Sequence, residues 1–190
     1  MSRNTLYLVT IVCVSLLVAA LVGPGTGLAS HVHCQGKPVD HQFLGGPGAN
    51  VFFGTGGADV MAGQGGDDFI QGGGGADTIC GNDGRDDLDG ETGQDELNGG
   101  LDGDFSIAGG DAIDEIHGGQ GGDDIDGGPN ADTNVNGDDG PDDIFGGGGN
   151  DDLSGQADND DIFGEADNDT ARGGAGTDTC VAESEFNCEN

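Results

Sequence analysis

Basic residues are almost missing from this chain. Lys and Arg number 4 in 190 residues against 37 Asp and Glu, a formal net charge of −33. Arg3, Lys37, Arg85 and Arg172 are the only fixed cations, too few for a phosphate-binding patch, so nucleic acid and anionic membrane surfaces repel the chain. Tryptophan is absent and aromatics make up 5% of residues, which leaves little bulk for a conventional core. With 43 glycines, such a composition ordinarily leaves a chain disordered. It escapes that fate only if the glycines and aspartates are ordered along the sequence, and they are.

Long hydrophobic runs are also scarce. The single one, Leu6 to Val22, follows Arg3 and ends in Gly23, Pro24, Gly25 and Gly27. This pattern predicts a secretory signal peptide over residues 1–29, cut after Ala29 or Ser30. A retained membrane anchor is the competing reading, but the run is slightly short of the ~20 residues a spanning helix needs and lacks a basic stop-transfer flank. The expected product is secreted, with no stable membrane insertion after cleavage. Cys13 sits inside the run without a lipobox-like context. Cys34, Cys80, Cys180 and Cys188 then remain, suggesting two disulfides with three connectivities open.

From Gly45 to Val181 the chain divides into fifteen units, thirteen of nine residues and two of ten. Examples are GTGGADVMA (Gly54 to Ala62), GGGGADTIC (Gly72 to Cys80) and GGGGNDDLS (Gly146 to Ser154). Every unit opens with Gly. Position six is Asn50 in the first unit and Asp in all the others: Asp59, Asp68, Asp77, Asp86, Asp95, Asp104, Asp114, Asp123, Asp132, Asp142, Asp151, Asp160, Asp169 and Asp178. Position eight is usually a single apolar residue.

Each fixed position has a physical reason. Glycine admits left-handed backbone, so six residues can wrap tightly. The last three residues are extended, and alternation sends only position eight inward while seven and nine face water. One unit makes a half-turn and two close an eighteen-residue coil. Stacked coils form two parallel sheets, an all-β fold. Ile70, Leu88, Ile125, Ile144 and Ile162 are expected along one inner wall, with Met61, Ile79, Leu97, Ile116 and Leu153 along the other. The ten-residue units insert a residue after Asp104 and Asp132, where bulges should leave Ile107 and Val135 inward. Two apolar side chains per coil cannot offset the ordering of eighteen glycine-rich residues, and stacked aspartates repel. A positive species between the turns is required.

The pattern GGxGxDxUx resembles the RTX, or haemolysin-type, calcium-binding nonapeptide repeat. That resemblance implies a parallel β-roll, a right-handed β-solenoid, with multiple Ca²⁺ ions held between the turn of one unit and that of the second unit onward. Two position-six aspartates and several turn carbonyls would coordinate each ion. Carried onto this chain, one edge pairs Asp68, Asp86, Asp104, Asp123, Asp142, Asp160 and Asp178 in succession. The other runs Asp59, Asp77, Asp95, Asp114, Asp132, Asp151 and Asp169. About a dozen sites result. Independently, oxygen-only donors in a pliable loop suit Ca²⁺ better than Mg²⁺, and Zn²⁺ would want His or Cys. Asn50 weakens the first site. Position four departs from Gly at Asp102, Ala112, Asn130, Asp158 and Asp167; Ala112 fits a left-handed turn least well. The chain looks more like small repeat proteins exported with an N-terminal signal than like the toxins, so toxin associations are not transferred.

Solenoid ends need caps. Residues 30–44 and 182–190 are expected to supply them around a 45–181 roll, with Phe186 over the open end. Cys180 holds an inward slot near Cys188, and the outward Cys80 is reachable from Cys34; the pairs Cys34–Cys80 and Cys180–Cys188 are therefore expected, against free or intermolecular thiols. His31, His33 and His41 near Cys34 could bind Cu²⁺ or Zn²⁺, although polar residues without a role are the simpler account. His117 is expected in an outward, solvated slot. Doubled acids such as Asp67–Asp68 arise from the repeat, and no nucleophile–base arrangement stands apart from it, so no enzyme is expected. The sequence predicts a secreted calcium-binding repeat protein that folds on binding multiple Ca²⁺. The alternative is an extracellular adhesion, matrix or cell-surface module using the roll as a spacer, with a protein or polysaccharide partner that the residues do not identify.

Overall fold

The computed structural model describes residues 42–188. Every regular element among them is a strand. Successive strands alternate between two parallel sheets, nine strands in one and eight in the other. Within each sheet a strand pairs with that of the second unit onward: Ile79 lies opposite Leu97, and Ile70 opposite Leu88. This is the β-solenoid of about eight coils that the period implies.

Position eight does point inward. Met61, Ile79, Leu97, Ile116, Val135 and Leu153 face Ile70, Leu88, Ile107, Ile125, Ile144 and Ile162 across a core one side chain deep per sheet, and all twelve are fully buried. The two longer units keep register as expected. Phe105, the residue after Asp104, is half exposed, with the Arg85 guanidinium 3.8 Å from its ring centroid. In the other unit Asn134 absorbs the extra residue at φ 62°. Ile107 and Val135 then align with Leu88 and Ile116.

Three expectations are corrected. Strands in the nine-stranded sheet mostly span six residues, not three, because the first residues of the next unit stay paired beyond position nine, as in Val60–Gly65 and Thr78–Asp83. Outward positions are not all wet: Val60, Thr78 and Cys80, neighbours on adjacent strands, are buried. Cys80 is disulfide-bonded; Cys34, its expected partner, lies outside the described residues, as do His31, His33 and His41. Phe186 does not cover the end of the roll. It lies opposite Arg172 in the outward row and is 55% exposed.

The strand Ser184–Phe186 extends the nine-stranded sheet beyond the last unit, and Gln42–Leu44 extends it before the first. Phe43 and Phe52 pack against the core at the amino end. At the carboxyl end Ala182 and Cys188 do so, and Cys180 and Cys188 form the expected disulfide. Among the described residues no helix is long and apolar enough to cross a membrane.

Candidate calcium-binding ladder

Position six sits where the turn becomes the strand, so its side chain lies under the turn of its own unit and beside that of the coil below. The sequence-predicted aspartates, Asp59 through Asp178, are all buried, none more than 3% exposed. They form two ladders. On one edge the backbone N–H of Asp68 donates to Asp86 Oδ1 at 2.7 Å, that of Asp86 to Asp104 Oδ1 at 2.7 Å, and so on to Asp160 and Asp178. Asp59, Asp77, Asp95, Asp114, Asp132, Asp151 and Asp169 repeat the arrangement on the other. Each consecutive pair inferred from spacing is therefore adjacent, one coil apart.

One carboxylate oxygen is thereby satisfied and the other is not. From Asp68 to Asp178 every ladder aspartate keeps an Oδ2 that is buried and has no hydrogen-bond donor. A buried polar atom left unpaired costs roughly 1–3 kcal/mol, and more when charged. Such a row is incompatible with a stable fold unless something answers it.

The position-one glycines show what surrounds those oxygens. A Cβ on Gly72 would lie 2.6 Å from Asp77 Oδ2 and 2.8 Å from the carbonyl oxygen of Gly90, one coil on. At Gly146 the corresponding distances are 2.6 Å to Asp151 Oδ2 and 2.9 Å to the Gly164 carbonyl. From Gly63 to Gly127, and again at Gly146 and Gly173, two acceptors thus converge beside the position-one glycine, and the carboxylate oxygen has no donor. This cradle, not backbone handedness, keeps position one glycine: left-handed residues occur at positions two and four instead. An acceptor-only cradle of carboxylate and carbonyl oxygen fits a hard cation such as Ca²⁺.

The electrostatics agree. Burial, the largest cause, pushes the carboxyl of Asp104 up to about 8; the Asp86 N–H pulls it down, and the charges of Asp123, Asp86 and Asp102 push it up again. Burial likewise raises Asp86, Asp95, Asp132 and Asp142 to about 7. Toward the ends it raises Asp77 and Asp160 to about 6. Charges from the coils on either side add to the rise at Asp95, Asp104, Asp132 and Asp142, whereas Asp114, also at mid-roll, rises only to about 6.

The amino-terminal turns differ. Asn50 Oδ1 accepts the Gly46 N–H at 2.9 Å. Asp59 Oδ2 accepts the Thr55 N–H at 2.6 Å and its hydroxyl at 2.9 Å. In later units position two turns left-handed, for example Gln64 at φ 77°, Asn82 at 80° and Glu91 at 66°, and this own-turn bond is gone. An Oδ2 without a donor thus first occurs at Asp68. Asn50 still donates its N–H to Asp68 Oδ1 at 2.6 Å, so it keeps the ladder's geometry without its charge.

Spacing missed two things. Glu183, outside the repeat, accepts the Asp169 N–H at 3.0 Å and continues the ladder; only the tail's length after Val181 hinted at another rung. His117 is not simply solvated. Its Nδ1 lies 3.0 Å from Asp138 Oδ2 and its Nε2 3.6 Å from Glu115 Oε1, and the Asp138 hydrogen bond, the largest cause, holds its pKa above the ordinary value. Among the described residues no group of three or more His, Cys, Asp or Glu side chains gathers in metal-holding geometry. The oxygens that do converge, in the cradle, are a carboxylate and a backbone carbonyl.

A family model described as RTX calcium-binding nonapeptide repeat (4 copies) matches residues 44–79, 72–105, 106–133, 134–162 and 154–185. No curated protein matches the chain. The period, the two-sheet solenoid and the paired aspartate ladders converge on one assignment: the chain belongs to the RTX calcium-binding nonapeptide repeat family.

Proposed function

We propose that this is a secreted calcium-binding repeat protein that folds as it binds multiple Ca²⁺ ions. The observation that carries this reading is the double row of buried aspartate Oδ2 atoms without donors. Bound calcium supplies positive charge between coils whose own residues have almost none. In each site the aspartates of consecutive coils, such as Asp68 with Asp86 or Asp77 with Asp95, hold the ion together with turn carbonyls. Asp59, whose Oδ2 is engaged by Thr55, belongs to the weaker amino-terminal end. Because calcium binds the folded state alone, stability rises with its concentration.

Export is supported by the apolar run ahead of the array and by the Cys180–Cys188 disulfide, which suits an oxidising compartment. In this reading residues 1–29 are the signal and 45–181 the roll. Residues 30–44 and 182–190 are caps, and Cys34 is the disulfide partner of Cys80. Far-UV circular dichroism of the chelated protein during a Ca²⁺ titration, with Mg²⁺ as control, tests the central claim. Strand signal that grows with Ca²⁺ supports it, and strand signal indifferent to chelator overturns it.

One feature favours the roll as an extracellular adhesion or spacer module. Phe145 and Phe163 stack at 5.2 Å in the outward row beside exposed Val181. Binding of the calcium-loaded protein to cell-wall and matrix polymers, lost in Phe163→Ser, would establish that role; equal binding by the variant would refute it.

A further inference from the structure

Resting on the calcium reading above, we propose that the carboxyl-terminal tail completes a further calcium site that the repeat pattern does not encode, with Glu183 in place of the missing aspartate. Asp169 belongs to the last unit but one, so no position-six aspartate follows it on its edge. Its Oδ2 is nevertheless buried without a donor, in a residue 2% exposed. That is the state of every ladder aspartate from Asp68 onward that has a partner below it.

The tail restores the partner. Glu183 Oε2 accepts the Asp169 N–H at 3.0 Å, as Asp169 Oδ1 accepts that of Asp151 at 3.0 Å. One residue on, the Ser184 N–H donates to the Asp169 carbonyl at 3.1 Å, repeating the bond from Thr170 N–H to the Asp151 carbonyl at 2.8 Å. Backbone and side chain alike thus follow the register of one more coil. The opposite edge is served by the same segment. Asp178 Oδ2 is also buried without a donor, and the atom nearest a Cβ on Gly173 is the carbonyl oxygen of Asn187. Elsewhere that place belongs to the next coil's position-one carbonyl. Asn187 reaches it by turning left-handed, at φ 54°.

Glu183 and Asn187 both lie inside the loop closed by Cys180–Cys188, whose cysteines are 8 residues apart in sequence. The disulfide therefore holds in place two oxygen donors of a segment with little apolar anchorage of its own. Glu183 is exposed, so this site opens to solvent on one side and exchanges its ion faster than those inside the roll.

A purely capping role is separable from metal binding. Gln at 183 keeps a carbonyl oxygen to accept the Asp169 N–H and removes the charge. Native mass spectrometry and calcium titration of wild type, Glu183→Gln and Glu115→Gln test the difference, with circular dichroism at saturating calcium confirming equal folding. Glu183→Gln should lose one ion, or bind it at least tenfold more weakly, while the outward Glu115→Gln matches wild type. Equal stoichiometry and affinity in Glu183→Gln would overturn the terminal site and leave the calcium reading intact. A wild type that binds no calcium would instead overturn that reading.

Discussion

Ala112 is the least comfortable residue of the array. It holds φ 106° at position four, where its counterparts Gly121 and Gly140 hold 129° and 134°. A non-glycine residue there stores about 1–3 kcal/mol. Ala112→Gly should therefore stabilise the calcium-loaded protein by about 1 kcal/mol in urea denaturation, despite glycine's greater unfolded-state entropy. Position one carries the opposite constraint. The missing Cβ of Gly146 faces Asp151 Oδ2 and the Gly164 carbonyl, so Gly146→Ala must push the carboxylate aside. It should cost about 1–3 kcal/mol, in the range of overpacking, and remove an ion by native mass spectrometry.

Asp104 should show effects of opposite sign. It is shared by the rungs to Asp86 and Asp123, and its Oδ2 converges with the Gly118 carbonyl beside Gly99. In Asp104→Asn the amide N–H₂ can donate to that carbonyl while the remaining oxygen still accepts the Asp86 N–H. The ion-free fold should gain about 1 kcal/mol, and the calcium-loaded protein should lose one or two ions. Circular dichroism with chelator and titration with calcium would read the two halves of this prediction separately.

At the scale of the strand and turn, most of the fold was legible. A nine-residue period with one apolar position fixes the inward row, so both walls, including Ile107 and Val135, follow from the spacing. The aspartate ladder was legible as pairs, since residues 18 or 19 apart meet one coil on. What escaped was conformational. Gln64, Glu91, Gln156 and Glu165 turn left-handed at position two, yet nothing in those side chains advertises it; the turn imposes it. Glu183 escaped because its geometry comes from the disulfide loop rather than the period. Val60 and Thr78 escaped because alternation assigns a direction, not what covers the face.

The ladder also sets the response to pH, with a definite sign. Burial raises these carboxyls, to about 6 at Asp77, about 7 at Asp86 and about 8 at Asp104. The ion-free fold thus binds more protons than the unfolded chain, whose aspartates titrate near 3.9. Its stability is greatest below that value and is lost as pH rises through 6 to 8. Acidifying the chelated protein from pH 8 toward 4 should recover strand signal. Calcium binding runs the other way, because the ligands must be ionised. Affinity should fall from pH 8 to 6, and calorimetry in buffers of different ionisation enthalpy should detect proton release. Affinity independent of pH across this range would contradict ligation by the buried ladder.

At the scale of the whole molecule, a solenoid is a line of neighbours: each coil contacts only the coils beside it, and cohesion passes from one to the next. In the proposed calcium-bound protein that cohesion is carried by two parallel tracks, the Asp68 edge and the Asp59 edge, with a core of two side chains per coil between them. Breaking one track at one level leaves the other to hold the stack. Breaking both at the same level should cut it. Asp114 and Asp123 belong to successive units on opposite edges, between the two ten-residue units, and each joins the aspartates above and below it. Asp114→Ala with Asp123→Ala removes both links there, while Ile116 and Ile125 remain to fill the core. Each single variant should unfold in one transition at fixed calcium. The double variant should unfold in two, with a calorimetric enthalpy exceeding the van't Hoff value and two limbs in a calcium titration followed by circular dichroism. A single transition in the double variant would mean that the apolar row, not the paired carboxylates and their ions, couples one coil to the next.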